Sequence, residues 1–335
     1  MKDERYQAMQ QWLDNMERFG QYTIEPASTD ASFRRYFRVR QDGQSWIVMD
    51  APPANEDCSA FVRIAQAWRE QGLNLPEVLE QDLSQGLLLL SDLGQQQYLS
   101  VLNEQTVDRL YGDAMSALLV LQTCAPDFQN LPLYSEELLY DEMDLFREWF
   151  LAEHLKVKVT PSMTATLDRI FTVLINSALE QPVVCVHRDY HSRNLMRCDK
   201  NNPGILDFQD AVTGPVTYDL VSLLRDCYIA WPRQRIENWV LGYYELAVQS
   251  GILQHQDEQT FLRWFDLIGV QRHLKVLGIF ARLNYRDGKA AYLDDLPLVL
   301  AYVMDVCQRY PELADLHELI LQHVEPLLTP ATLLA

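Results

Sequence analysis

The stretch that decides the fold reads Val183-Val184-Cys185-Val186-His187-Arg188-Asp189-Tyr190-His191-Ser192-Arg193-Asn194, followed by Gly204-Ile205-Leu206-Asp207-Phe208-Gln209. Four apolar residues read as a short buried strand that runs straight into a polar loop. Asp207 stands 13 positions after Asn194. A hairpin that leaves after Asn194 and returns through Ile205 and Leu206 brings Asp207 back beside Asn194. Two hard oxygen donors then converge on one divalent cation. Asp and Asn favour turns in any protein, but a strand entering the loop and a second strand ending at Asp207 are the context a site requires.

Outward from this segment the chain has two textures. From about Tyr22 to Asp92 it reads as short strands and turns with one helix. Phe33 to Arg40 and Ser45 to Met49 pair around Gln41-Asp42-Gly43-Gln44. Asp57 is placed to cap a helix carrying Phe61, Ile64, Ala65 and Trp68 at helical spacing and ending at Gly72. Val78 to Glu80 and Leu87 to Leu90 form a second pair around Ser84-Gln85-Gly86. Beyond Ser91-Asp92-Leu93-Gly94 the pattern turns helical, with amphipathic segments near 104–123, 136–156, 162–179, 233–250, 258–283 and 295–309. The expected architecture is α+β and bilobal: a small antiparallel-sheet lobe over residues 1–92, a mostly helical lobe over 93–335, and a hinge at about 91–94.

Composition narrows the function. The 335 residues hold 28 Lys and Arg against 47 Asp and Glu, a formal charge of −19. That balance excludes a nucleic-acid clamp, which needs clustered cations. The first ten residues contain no apolar run of a secretory signal. The stretch from Ile268 to Leu283 is broken by Arg272, His273, Lys275 and Arg282, so it does not read as a membrane span. Six scattered cysteines without a Cys-x-x-Cys pair suit buried thiols in a reducing compartment. The expectation is a cytoplasmic protein acting on a small molecule, with no nucleic acid, membrane or obligate protein partner.

His-Arg-Asp, four residues and Asn is also the spelling of a kinase catalytic loop. His187 to Met196 and Ile205 to Asp226 resemble the aminoglycoside phosphotransferase and choline kinase superfamily, which shares the bilobal protein-kinase-like fold. Val48-Met49-Asp50-Ala51-Pro52-Pro53, Leu88 to Gly94, His187 to Met196 and Asp207 to Trp231 together resemble, more closely, the bacterial N-acetylmuramate/N-acetylglucosamine anomeric kinases of cell-wall sugar recycling. The resemblance implies ATP and Mg²⁺ as cofactors and phosphorylation of a sugar C1 hydroxyl. It implies Asp189 as the catalytic base and Asn194 and Asp207 as metal ligands. Ser91, Asp92 and Leu93 become the hinge that meets adenine, and Asp219 the acceptor of hydrogen bonds from the catalytic-loop backbone. Acceptor-pocket candidates are Glu142, Trp149, Asp226, Trp231 and Arg282, each of which also suits scaffold or surface.

The chain departs from the kinase pattern in its first lobe. Thr29 to Arg38 holds no glycine, Met49 occupies the position of the phosphate-binding Lys, and the one Lys before residue 93 is Lys2. Another cation must face the triphosphate. Arg34, Arg35 and Arg38 are the candidates, because a guanidinium grips phosphate oxygens in a fork; Ser32 and Phe33 adjoin them in the expected nucleotide site. Between Asp207 and Asp219 there is no room for a regulated activation segment, which points to a small-molecule acceptor. Two other readings remain open on sequence: a kinase for an aminoglycoside or aminoalcohol, favoured by the −19 charge, and a nucleotide-binding regulator without turnover.

Overall fold

The computed structural model describes residues 3–28, 34–124, 130–254 and 256–327. Within these the chain forms two compact units. One comprises residues 3–101 with Asn194–Asp210, the other Leu102–Cys124, residues 130–193 and residues 211–327. The sequence places the boundary near 92; the chain changes unit at Leu102, and the hairpin that carries Asn194 and Asp207 belongs with the first unit.

The first unit is built on a five-stranded antiparallel sheet of order β1-β2-β3-β5-β4. Helix α1 (Glu4–Asp14) precedes it and was not anticipated. Its N-cap Asp3 accepts from Tyr6 N, and Met9 and Leu13 bury against Phe37, Val39, Val48, Leu87 and Leu89 of the sheet. Strand β1 (Thr23–Ser28), also unanticipated, lies at the sheet edge, where its Pro26 costs no central ladder bond. Strands β2 (Arg35–Gln41) and β3 (Gln44–Asp50) meet at Asp42-Gly43, with φ of 50° and 77°, the paired positive values of a tight hairpin turn. Helix α2 (Ser59–Glu70) follows Asp57, whose carboxylate accepts from Ser59 N at 2.8 Å. Strands β4 (Val78–Asp82) and β5 (Leu87–Ser91) complete the sheet, and α3 (Tyr98–Val101) ends this part.

The second unit opens with α4 (Val107–Cys124), α5 (Glu136–Leu145), a π-helical segment over Phe146–His154 and α6 (Pro161–Leu179). Strand β6 (Val183–Val186) then leads into the catalytic-loop sequence. Strands β7 (Leu195–Met196) and β8 (Gly204–Ile205) form the hairpin of the first unit, and β9 (Val212–Pro215) returns to pair with β6. Helices α7 (Tyr218–Leu224), α8 (Arg233–Gln249), α9 (Glu258–Asp287), α10 (Leu296–Cys307) and α11 (Ala314–His323) complete the unit. The 30-residue α9 is its axle, buried almost continuously from Phe261 to Leu283 and packed by α5, α6, α7, α8 and α10.

Another element approaches α9 closely at Gly278, where an added Cβ would stand 2.3 Å from the Leu145 carbonyl carbon, at the junction of α5 with the π-helical segment. In an ordinary helix interior, Gly to Ala stabilises by about 0.5–1 kcal/mol. Here the sign should reverse. Gly278→Ala is expected to lower stability by about 1–3 kcal/mol through overpacking against backbone, read as a fall in the urea midpoint; an unchanged or raised midpoint would contradict the contact.

Candidate active site

Strand β6 delivers the chain to His187, and two buried carboxylates then shape the loop. Asp219, in the first turn of α7, accepts from His187 N at 2.6 Å and from Arg188 N at 3.0 Å. Asp226 accepts from Ser192 N at 2.9 Å and from Tyr228 N at 3.1 Å. Arg188 sits at φ 76°, a conformation a side-chain-bearing residue holds only when its surroundings enforce it. The turn closes on itself: Asp189 N donates to His187 Nδ1 at 3.2 Å, and His191 N to the Asp189 carbonyl at 3.0 Å. Since Nδ1 accepts, the proton of neutral His187 lies on Nε2. His187 is therefore a fully buried framework residue that orients the Asp189 peptide. Tyr190 OH anchors the loop to the Ala114 carbonyl at 2.9 Å.

Beside this loop lies a buried charge network. Glu142 of α5 is 6% exposed and pairs with Arg188 and with Lys275 Nζ at 2.8 Å, while Tyr134 OH donates to the same carboxylate. Gln271 Nε2 reaches it at 3.4 Å. Lys275 Nζ also donates to Tyr218 OH at 3.2 Å, and Arg272 Nη2 to Ser222 Oγ at 2.6 Å. Burial raises the Glu142 carboxyl, but Lys275 and Arg188 overcome it and hold it below its ordinary value. Asp189 follows the same logic: burial raises it, and Lys275, His191, Arg272 and His187 together bring it below the ordinary value. Asp219, whose partners are amides rather than cations, is pushed by burial up to about 7. Asp189 is thus held below the ordinary carboxylate value while Asp219 is pushed above it, the divergence that different environments impose on neighbouring carboxyls.

In the first unit, Leu195 pairs with Ile205 and Leu206 N donates to the Asn194 carbonyl at 2.9 Å, so the hairpin sets Asn194 and Asp207 at its open end. Its outer side is tied down by Ile205 N to the Asn74 carbonyl and Arg197 N to the Gln96 carbonyl. Phe208 is clasped between Phe61, at a centroid distance of 4.6 Å, and Trp68, at 6.1 Å. That grip helps hold Asp207 at φ 61°. Gln209 Nε2 donates to Asp207 Oδ1 at 2.9 Å.

The three arginines of the first hairpin have different fates. Arg35 and Arg5 grip the fully buried Asp50, and Arg35 also pairs with Asp3, fastening α1 to the sheet. Arg38 forks onto Asp92 at 2.7 and 3.1 Å and reaches the Gly94 carbonyl at 2.9 Å. Arg34 faces Glu56, Asp207 and Asp210. Asp92 also accepts from Gly94 N at 2.9 Å, so its side chain shapes the hinge turn. Ser91 Oγ accepts from Glu77 N at 2.8 Å, and the Leu93 carbonyl faces Cys198 Sγ at 3.5 Å. Ser32 and Phe33 lie outside the described residues.

Among the acceptor candidates, Glu142 lies in the charge network and Asp226 on the catalytic-loop backbone. Trp231 Nε1 donates to Tyr111 OH at 3.1 Å, within an aromatic cluster with Trp239. Trp149 lies half-buried on the π-helical segment. Arg282 is half-buried on α9, two turns beyond Lys275, with a buried Nε that has no hydrogen-bond partner. Sequence reasoning missed Arg272, Lys275, Gln271 and Tyr134. The signal for the first three was the polar run Gln271-Arg272-His273-Leu274-Lys275 inside an apolar helix, which was read as the interruption of a membrane span.

The kinase-like fold gives the class, a phosphotransferase, and comparison with known proteins agrees. The model of the phosphotransferase enzyme family (APH) matches residues 23–249. The chain belongs to that family. Its relatives include proteins named N-acetylmuramate/N-acetylglucosamine kinase from Pseudomonas putida, 46% identical over 328 residues, and from Pseudomonas aeruginosa, 46% identical over 329 residues. Each match covers 95% of this chain and 96% of the relative. Among solved structures, the ternary complex of streptomycin, ATP and APH(2")-IIa matches 93% of this chain and 98% of its own, with a TM-score of 0.58 at 16% identity. Among the described residues no helix is long and apolar enough to cross a membrane.

The groups facing Asp189 are Lys275 and Arg272 from α9, His187 and His191 from its own loop, and Asp219 from α7. A base of lowered pKa loses its reactive form as pH falls through that value. Replacing Lys275 with Met removes the largest lowering influence, so the acid limb of kcat/KM should move to higher pH, and Lys275→Arg should return it toward the parent. Superimposable pH profiles for Lys275→Met and the parent would refute this electrostatic role.

Proposed function

We propose that the protein transfers the γ-phosphoryl group of ATP to the C1 hydroxyl of N-acetylmuramate or N-acetylglucosamine, with Mg²⁺ as the metal. The observation that carries the reading is Asp189: a carboxylate kept ionised by buried cations, on a loop whose backbone is fixed by Asp219 and Asp226. The names of relatives 46% identical over nearly the whole chain supply the acceptor. An acceptor hydroxyl placed against Asp189 gives up its proton to the carboxylate as its oxygen bonds to the γ-phosphorus. The bond between that phosphorus and the β,γ-bridging oxygen breaks, and ADP leaves. An anomeric hydroxyl is more acidic than an ordinary sugar alcohol, so a base of low pKa suffices, and positioning does most of the work.

The donor set at the hairpin fits Mg²⁺, which takes one or two protein oxygens and completes its shell with phosphates and water. Asn194 and Asp207 would hold it, and it would supply neutralisation of charge on the phosphates. A cationic acceptor such as an aminoglycoside or aminoalcohol is disfavoured by Arg188, Arg272 and Lys275, which place cations around the base. Dependence on ATP and the free thiols of Cys58, Cys185, Cys198, Cys227 and Cys307 suit a cytoplasmic enzyme.

Phosphorus NMR of the parent incubated with ATP, Mg²⁺ and each free sugar should give a C1 phosphate. The C1 O-methyl glycoside should give none. Asp189→Asn should lower kcat by at least about 100-fold while still binding ATP. Phosphorylation of the O-methyl glycoside, or of aminoglycosides in place of free N-acetylated sugars, would overturn the acceptor assignment; near-parental turnover in Asp189→Asn would remove the base.

A further inference from the structure

The first unit lacks the lysine that grips nucleotide phosphates in kinases, and the geometry points to its replacement. We propose that Arg34 is the phosphate-binding cation of this enzyme. The inference rests on the reading above, in which ATP is the donor.

Met49, at the lysine position, is 1% exposed and sits in the middle of the sheet, opposite Tyr36 on β2 and Leu88 on β5. It cannot bear charge toward a ligand. Arg5 and Arg35 are committed to the buried Asp50. Moving either would leave a buried carboxylate short of a partner, which is strongly destabilising. Arg38 is committed to Asp92, whose side chain is 6% exposed, in the forked geometry of a strong pair.

Arg34 differs in what it faces. It immediately precedes β2 with its side chain 10% exposed, and the three carboxylates around it converge from two segments. Its Nε stands 3.4 Å from Glu56 Oε2, its Nη1 3.8 Å from Asp207 Oδ1 and its Nη2 3.7 Å from Asp210 Oδ2. These separations are longer than those of the Arg38 fork. One of the three carboxylates is the candidate metal ligand Asp207. A guanidinium beside a residue that would hold the metal is placed to meet the phosphates whose charge that metal would neutralise. Glu56 orients the guanidinium from its Nε side and leaves the Nη edge toward Asp207 and Asp210. Without Arg34, three carboxylates would confront a polyanion; with it, the cluster carries a cation matched to planar phosphate recognition.

The test is calorimetric binding of ATP, ADP and adenosine to the full-length parent, Arg34→Gln and Arg34→Lys, each with Mg²⁺, with thermal unfolding recorded for each variant. Arg34→Gln should weaken ATP about 10- to 100-fold, the span expected for one charge-assisted contact. Adenosine, which has no phosphate, should bind as it does to the parent, and ADP should lie between. Arg34→Lys should recover part of the ATP affinity, since it restores charge without the fork. Unchanged ATP affinity in Arg34→Gln would overturn the proposal. So would an equal loss of ATP and adenosine affinity, which would mark Arg34 as a support of the lobe. Failure of the parent to bind ATP would instead overturn the donor assignment, and this inference with it.

Discussion

A single carboxylate sets the form of the catalytic loop. Asp219, with no exposed surface, accepts from the amides of His187 and Arg188 at 2.6 and 3.0 Å. Those two residues lie between the end of β6 and Asp189, and Arg188 is at φ 76°. A backbone so placed has no neighbouring strand or helix to satisfy its donors, and an unsatisfied buried donor costs about 1–3 kcal/mol. The side chain of α7 takes over what secondary structure supplies elsewhere. Asp226 does the same for Ser192 three residues past Asp189. The backbone on either side of Asp189 is thus held by two buried carboxylates.

The lowered pKa of Asp189 depends on the opposite arrangement. Burial favours a neutral carboxyl, so cations must stand near Asp189, and they too must be buried. Helix α9 supplies them. It is buried almost all round, yet carries Gln271, Arg272, His273 and Lys275 in succession. Each has its anchor: Glu142 for Lys275 and, at 3.4 Å, for Gln271, Ser222 for Arg272, and the Arg225 carbonyl for His273 at 3.1 Å. Glu142 in turn receives Arg188, so the catalytic loop and the axle helix share one carboxylate. Truncating any member leaves another charge without its partner, and such networks respond as units.

The order of strands and helices was legible because alternation and 3.6-residue periodicity survive wherever an element has one buried face. The pairing of Arg35–Gln41 with Gln44–Asp50 is visible in Asp42-Gly43 alone. Helix α1 was not visible, since its two buried residues, Met9 and Leu13, stand among polar neighbours, and its attachment through Arg5 and Arg35 to Asp50 is a long-range event. In the hairpin, the spacing from Asn194 to Asp207 carried its own geometry. The carboxylates that hold the loop could be placed by motif only in the case of Asp219. The backbone bonds of Asp226 were not legible, because a sequence does not tell which carboxylate receives amides. The cations of α9 were hidden for a related reason: a polar residue in an apolar helix signals either an exposed face or a buried site, and only packing distinguishes them. The three arginines before and within β2 were equivalent until Asp50 and Asp92 claimed two of them.

The central claim is that Asp219 acts through the backbone it holds. Single-residue amide hydrogen exchange on the parent and Asp219→Asn, followed alongside phosphoryl transfer and nucleotide binding, tests it most directly. The account predicts that His187 and Arg188 lose protection while the helices of the second unit keep theirs, with transfer lost and nucleotide binding retained. Full protection of both amides with transfer lost, or loss of protection with transfer intact, would contradict it.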